Sequence, residues 1–279
     1  MSFAFEMRFT LGLSLSDTLS VTSGDCADSG AGLHSLQLVR MPSYRRAGCF
    51  RRLMQGGMRM TLADKVSLAM NRMAEVLTRF GPAVAVGWTG GKDSTTVLAL
   101  WRNVLRRQDP GRSVQAINLD TGCKFPEVLD FRDRLAREWD IALHIVHPRQ
   151  DLAHYPLAVD PLQCCRDLKI APLNEAIVNL GTTALLTGVR ADENPDRAKR
   201  PWLEDHGGHL RAAPLLEWTE LDIWTFLVRE NIPWCVLYDR GYRSLGCIPC
   251  TSRSGHGERS GRDGRKEVQM DHLHSLGYF

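Results

Sequence analysis

The sequence predicts an α/β fold in which a twisted, mostly parallel sheet carries helices on both faces. Short apolar runs alternate with longer segments of helical periodicity from about residue 61 onward. This alternation is typical of right-handed β-α-β crossovers and therefore of parallel strands. Unusual polar loops follow three of the predicted strands, at 89–94, 120–126 and 190–200. Because ligands bind beyond the carboxyl ends of parallel strands, these loops form the expected site.

Composition limits the classes of function that the chain can have. The net charge of +3 is too small to indicate a nucleic-acid partner. No apolar run reaches the length of a membrane span, so no membrane partner is expected. The eight cysteines include the pair Cys164-Cys165 and the turn Cys247-x-x-Cys250, a clustering that favours metal or redox chemistry over disulfides. Such thiols indicate a reducing compartment, and we expect a cytoplasmic protein.

The chain divides into three parts by composition. Residues 1–60 are rich in Ser, Gly and Arg without sustained periodicity, which predicts a disordered leader. Met58 and Met60 precede the first clean helix, so the leader is alternatively an upstream translation of a protein that starts there. Residues 61–250 form the predicted domain. Residues 251–279 read as a flexible, basic C-terminal tail whose arginines are mostly unopposed.

Helix and strand signals follow one another along the domain. Thr61 is the predicted N-cap of the first helix, with Asp64 as its capping-box partner, and Gly81 ends that helix. Later helices are expected after the glycine turn, at Pro126, from Leu168 with an interruption at Pro172, and after Thr219. In the last of them, the residues expected to face the core are Leu221, Trp224, Leu227 and Val228. Strands are predicted at 83–88, 114–119, 141–146 and 183–189.

A glycine-rich turn joins the first predicted strand to the following helix. Glycines let the backbone approach an anion, the helix N-terminus offers free N–H groups, and a lysine adds charge. The spacing is not that of a Walker loop. The turn therefore predicts a phosphate cradle, the alternative being a glycine turn without a ligand. Its residues are Thr89, Gly90, Gly91, Lys92, Asp93 and Ser94.

This turn resembles the SGGKDS pyrophosphate loop of the PP-loop ATP pyrophosphatase superfamily. The resemblance implies an adenine nucleotide alpha hydrolase-like fold, with ATP as substrate and Mg²⁺ as its counterion. Gly90, Gly91, Lys92 and Ser94 would then hold the leaving pyrophosphate, while Asp93 would orient Mg²⁺ or the loop. Phosphoryl chemistry asks mainly for such positioning and charge neutralisation.

The loop after the second strand reads DTGCKFPE from Asp120 to Glu127. It resembles the DTG-x-x-FPE motif of phosphoadenylyl-sulfate and adenylyl-sulfate reductases, and also a WKF-x-E stretch in the catalytic subunit of bacterial ATP sulfurylase. An aspartate here can hold a ribose hydroxyl or a metal-bound water, and Lys124 would contact an anion. The alternative is an ordinary turn with Pro126 at the first helical position.

The loop after the fourth strand carries Arg190 and Arg197. Two arginines in such a loop can bind sulfate or phosphate bidentately, although a solvated charged loop is the simpler interpretation. The loop resembles the anion loop G-x-R-x-x-Q-S-x-x-R of the same reductases, with Glu193-Asn194 in place of Gln-Ser. The resemblance implies that Arg190 and Arg197 hold the anion and that Lys92, Asp93 and Arg190 are catalytic.

The clustered cysteines resemble the Cys-Cys plus C-x-x-C set that holds a four-iron, four-sulfur cluster in adenylyl-sulfate reductases. The implied ligands are Cys164, Cys165, Cys247 and Cys250. Zinc, redox dithiols and inert thiols are the alternatives. Adjacent cysteines suit zinc poorly because their side chains diverge, whereas a cluster offers each thiolate its own iron.

The tail resembles the ending of the ATP sulfurylase catalytic subunit, in its GERSGR stretch at 257–262 and its terminal GYF. Arg259 and Arg262 would close over the nucleotide. Adenylyl-sulfate reductases instead attack with a cysteine in a C-terminal ECG-x-H string, and no cysteine follows Cys250 here. The absence of a cysteine after Cys250 and the presence of Lys92 both favour a reaction that uses ATP over the reduction of an adenylyl-sulfate.

Three functions remain, in order of preference. The first is an iron–sulfur PP-loop enzyme that transfers an adenylyl group from ATP to sulfate or a related anion, with a GTPase-type partner conceivable. The second is a divergent adenylyl-sulfate or phosphoadenylyl-sulfate reductase whose thiol comes from Cys123, Cys235 or a thioredoxin-type partner. The third is a non-catalytic iron–sulfur or nucleotide-binding protein.

Overall fold

The structure is a computed structural model that describes residues 60–278. The predictions about the leader and about a start at Met58 concern residues 1–60, of which only Met60 lies within this range. Within it, no helix combines the length and the apolar character needed to cross a bilayer.

The described chain builds one mostly parallel sheet, as predicted. Strand order is β3-β2-β1-β4-β6-β5, and only the pairing of β5 with β6 is antiparallel among the described strands. The first four strands match predicted ones, whereas the β5–β6 hairpin was not predicted. The strand bounds are β1 Val84–Gly87, β2 Val114–Leu119, β3 Ile141–Val146, β4 Ala184–Leu186, β5 Leu203–Asp205 and β6 Leu210–Ala212.

Helices cover the crossovers. Thr61 and Asp64 form the predicted capping box at the start of α1. The predicted interruption near Pro172 takes the form of a change of helix type: a π turn, Arg166–Ile170, leads directly into an α-helix that has Pro172 in its first turn. The helix bounds are α1 Leu62–Phe80, α2 Lys92–Gln108, α3 Pro126–Trp139, α4 Pro161–Cys165, α5 Ala171–Asn179, α6 Glu220–Arg229, α7 Gly264–Glu267 and α8 Met270–Ser275.

Side chains of the central strands alternate between two buried faces. Val84 and Val86 of β1 join the larger core, which includes residues of α1, α2, α3 and α6. Ala85 points to the opposite face, where Leu173 and Ile177 of α5 cover the sheet. Both faces of the parallel strands are therefore covered, as their continuous apolar sequences require.

The predicted inner face of α6 is partly wrong. Leu221 is 74% exposed and Val228 is 64% exposed, whereas Ile223, Phe226 and Leu227 are buried. Phe226 packs edge-on against the buried Trp218. Several apolar residues on this helix permit more than one inner face, and tertiary packing selects the face that meets Trp218.

The predicted flexible tail is also corrected. It folds back into two short helices, α7 and α8, and the wholly buried Met270 and Leu273 pack against Cys165 and Ile170. Two of its arginines do have acidic partners: Arg259 forms ion pairs with Glu193 and Glu267, and Arg265 pairs with Asp263. The tail therefore forms part of the domain core and of the site.

Replacing the buried Leu273 tests the docking of this tail. We expect Leu273→Ala to lower the free energy of unfolding by about 2–5 kcal/mol, the range for emptying a packed leucine site. Leu276→Ala, at an exposed position, is the matched control and should cost less than about 1 kcal/mol. Equal small losses in urea denaturation of the two variants would contradict a packed tail.

Candidate active site

A cavity of about 140 Å³ lies where the predicted loops meet. The glycine turn, the loop after β2 and the loop after β4 all contribute, as expected for parallel strands. The π turn and the C-terminal segment complete the wall. The predicted site residues that line the cavity are Thr89, Gly91, Asp93, Ser94, Lys124, Arg197, Arg259 and Arg262. The predicted residues outside this lining are Gly90, Lys92, Asp120 and Arg190.

The glycine turn opens the N-terminus of α2 toward the cavity. Gly91 is the N-cap and has no side chain to cap the helix. Tyr238 Oη accepts from the Lys92 N–H at 2.9 Å, so the later N–H groups of the first turn of α2 are the ones that can attract an anion. Gly90 has a φ of +79°, which only glycine adopts readily. Gly188 lets the loop after β4 approach the same turn, because a Cβ there would lie 2.7 Å from the Ser94 nitrogen.

Lys92 and Arg190 meet a carboxylate from the tail. Lys92 Nζ donates to Glu258 Oε1 at 2.5 Å and to the Arg243 carbonyl at 2.9 Å. Arg190 Nη2 donates to both Glu258 oxygens, at 2.5 and 2.6 Å, while its Nε donates to Asp93 at 2.7 Å. Burial alone would lower the pKa of Lys92, but Asp93 and Glu258 outweigh it and raise that pKa, so the lysine is charged.

A second carboxylate, Glu193, accepts from Arg197 and Arg259. Burial would raise its pKa, but the two arginines hold it at about 2. The ligand oxygens of Asp93, Glu193 and Glu258 lie within 4.8 Å of one another. Arginines and Lys92 already neutralise all three groups, so this cluster lacks the excess negative charge that Mg²⁺ would need.

The opposite end of the cavity carries cations without carboxylate partners among the described residues. Lys124, Lys169 and Arg262 line it. The strongest electrostatic neighbours of both lysines are Cys247, Tyr278 and cations rather than acids. Burial, with Lys169 nearby, lowers the pKa of Lys124 to about 8. Arg262 is buried and the two lysines are partly buried, so an anionic ligand would relieve this excess of positive charge.

The predicted cysteines do come together. Cys164, Cys165, Cys247 and Cys250 line a second cavity, and Lys169 lines both cavities. Cys123 also borders this cavity. Burial would raise the pKa of Cys247, but Lys169, Lys124 and a hydrogen bond from Thr121 lower it to about 6, so this residue is a thiolate at neutral pH.

The sulfur spacing bears on the choice of metal. No three cysteine sulfurs in the described part of the chain lie within 4.8 Å of one another. A single zinc ion holds its sulfurs at about 2.3 Å and would draw them closer than that. Thiolates that each bind a separate iron of one cluster lie farther apart. The donor set therefore fits an iron–sulfur cluster better than zinc.

Other predicted residues serve the scaffold. Asp120 accepts from Gly122 N–H at 3.0 Å and from Arg132 at 3.4 Å, which shapes the loop after β2. Cys235 is 1% exposed in the main core and lines neither cavity. Sequence reasoning missed Lys169, Glu258 and Tyr278 as site residues. The spacing of Lys169, four residues after Cys165, was a usable signal because such residues share a helix face.

These features define a class: an α/β protein with an adenine-nucleotide type of glycine loop beside a thiol-lined cavity. Residues 83–253 match the family model of the phosphoadenosine phosphosulfate reductase domain. The chain belongs to this PP-loop family of sulfur metabolism.

Individual proteins agree with this assignment. The adenosine 5′-phosphosulfate reductase of Geobacillus kaustophilus is 33% identical over 149 residues, which is 50% of this chain and 62% of that protein. The chain thus spans less than two thirds of this relative. Phosphoadenylyl-sulfate reductase from Candida auris superposes with a TM-score of 0.55 at 19% identity, over 71% of this chain and all of that one.

A similar fold also occurs with a different chemistry. FMN adenylyltransferase from Candida glabrata superposes with a TM-score of 0.58 at 19% identity, over 74% of this chain and 72% of that chain. At this identity the likeness shows the fold alone. The choice between reduction and adenylyl transfer therefore depends on the site.

Arg262 tests whether the cationic end binds an anion. We expect inorganic sulfate to raise the thermal unfolding midpoint of the native protein, since a ligand that binds the folded state stabilises it. Arg262→Met should weaken the apparent sulfate affinity about 10- to 100-fold, the value of one charge-assisted hydrogen-bonding group. Lys199→Met, at an exposed position, is the control and should respond like the native protein; an equal response of Arg262→Met would contradict the assignment.

Proposed function

We propose that this protein is a reductase for an adenylyl-sulfate: it binds adenosine 5′-phosphosulfate or its 3′-phosphorylated form and passes the sulfur to an external thiol. The observation that carries the proposal is the excess positive charge of Lys124, Lys169 and Arg262 at one end of the cavity. The reductase relatives favour the same reaction. The adenylyl transfer to sulfate that the sequence first suggested has less support.

The loops suggest how such a substrate would lie. The N-terminus of α2 behind Gly91 and Ser94 would receive the α-phosphate on the N–H groups that follow Lys92, whose own N–H donates to Tyr238. The sulfate would meet Lys124 and Lys169, which would neutralise its charge as a nucleophile approaches. In this arrangement the sulfur lies toward the thiol-lined cavity, which shares Lys169 with the nucleotide cavity.

The attacking thiol would come from a partner. No thiol among residues 60–278 lines the nucleotide cavity, since Cys123 borders the second cavity and Cys235 is in the core. A thioredoxin-type dithiol supplies both electrons. Its first thiolate attacks sulfur, the bond from sulfur to the phosphate oxygen breaks, and AMP leaves, or adenosine 3′,5′-bisphosphate from the 3′-phosphorylated form. Its second thiol then displaces sulfite and closes a disulfide.

The four clustered cysteines would hold a four-iron, four-sulfur cluster. When bound, this group supplies a redox-active, charged centre beside Lys169, and the reaction above assigns no step to it. A reducing cytoplasm suits both the cluster and the free thiols.

Adenylyl transfer remains the second candidate because Lys92 follows two glycines as in the pyrophosphate loop it resembles. The structure gives this function less support, since Lys92 is 1% exposed and faces Glu258 instead of the cavity.

Product analysis decides between the two. With adenosine 5′-phosphosulfate and reduced thioredoxin, we expect sulfite and AMP in equal amounts. Lys169→Met should lower kcat/KM about 100-fold or more, because it removes a partly buried charge at the reacting sulfate, while Lys199→Met should leave it unchanged. Pyrophosphate released from ATP, Mg²⁺ and sulfate, without sulfite from the first mixture, would overturn the proposal.

Iron content tests the cysteine assignment. Anaerobically purified protein should contain four irons per chain and absorb in the visible range. Cys250→Ser should remove both, because it deletes one of four ligands. Cys123→Ser is the matched control, since Cys123 borders the same cavity but is not an assigned ligand, and it should keep the iron. A featureless visible spectrum of the native protein, or iron loss only in Cys123→Ser, would contradict the assignment.

A further inference from the structure

Glu258 occupies the anion position of the glycine-rich cradle. Its carboxylate accepts from Lys92 Nζ at 2.5 Å and from Arg190 Nη2 at 2.5 and 2.6 Å. An incoming pyrophosphate would need these same two cations. The position is therefore filled by a side chain of the chain itself.

The three side chains of this contact are shielded from solvent. Lys92 is 1% exposed and Arg190 is 0% exposed, and neither lines the nucleotide cavity. The Glu258 side chain is itself only 9% exposed. A second donor bond fixes the lysine, from Nζ to the Arg243 carbonyl at 2.9 Å.

The segment that carries Glu258 is anchored on both sides. Arg259 forms two hydrogen bonds of 2.7 Å with Glu267 and pairs with Glu193. Further along, Ser252 N–H donates to the Gly261 carbonyl at 2.8 Å. Moving Glu258 out of the cradle would therefore break several contacts and leave two buried cations with Asp93 as their nearest shared acid.

We propose that Glu258 determines nucleotide specificity by excluding pyrophosphate from the cradle. The cavity then takes adenine nucleotides with one anionic group beyond the α-phosphate, at Lys124, Lys169 and Arg262, and discriminates against ATP. The identity of the accepted nucleotide rests on the proposed function. The exclusion of pyrophosphate does not, because it follows from the Lys92–Glu258–Arg190 contacts alone.

Direct binding of inorganic pyrophosphate to the full chain tests the exclusion. Calorimetry should detect little binding by the native protein. Glu258→Gln keeps the shape of the side chain but removes the charge that Lys92 and Arg190 share, leaving them only Asp93 in common, and should bind pyrophosphate at least 10-fold more tightly. The double variant Lys92→Ala/Glu258→Gln should lose that gain. Glu267→Gln is the matched control: it weakens the anchor of the same segment without vacating the cradle, and should bind no better than the native protein.

A second comparison needs no substitution at Glu258. If the cradle is closed, Lys92→Ala alone should leave the affinities for pyrophosphate and ATP within about twofold of native, so the proposal stays testable even where Glu258→Gln does not fold. Tight pyrophosphate binding by the native protein that Lys92→Ala abolishes would overturn the exclusion, as would no gain in a folded Glu258→Gln. If the native protein and the variants bind pyrophosphate as expected but no sulfite forms, the reductase proposal would be contradicted and the exclusion of pyrophosphate would stand.

Discussion

The arrangement of the site depends on one buried charge network, in which Glu258 joins Lys92 and Arg190. The three residues come from α2, the loop after β4 and the C-terminal segment. Asp93 also pairs with both cations, and removing any one member would leave the buried charges unequal in number, which is costly in a protein interior. The network therefore attaches the C-terminal segment to the sheet, and that segment brings Arg259, Arg262 and Tyr278 to the cavity.

The same network divides the site into two electrostatic halves. Around the cradle, acids and bases are matched, so the region is stable without a ligand. At the other end, the Cys247 thiolate is the strongest opposite charge beside Lys124 and Lys169, and together with Arg262 the described cations there outnumber it. An anion binds most favourably where positive charge is in excess. We therefore expect the reaction to occur beside the cysteines and not at the glycine loop.

Local signals in the sequence predicted much of the fold and part of the site. The Thr61–Asp64 cap, the strand before the glycine turn and the meeting of the polar loops depend on neighbouring residues or on the general geometry of parallel sheets. The cysteines also came together as expected. The sequence did not predict contacts between residues that lie far apart in the chain. Lys92 and Glu258 are 166 positions apart, so the residues around Lys92 did not predict that a carboxylate binds it. The basic composition of the tail likewise did not predict that Met270 and Leu273 pack into the core.

A crystal structure of the protein with bound adenosine 5′-phosphosulfate tests the central claim most directly. The account predicts sulfate oxygens within hydrogen-bond distance of Lys124, Lys169 or Arg262, with Glu258 still on Lys92. Phosphate or sulfate oxygens on Lys92, with Glu258 displaced into solvent, would contradict it.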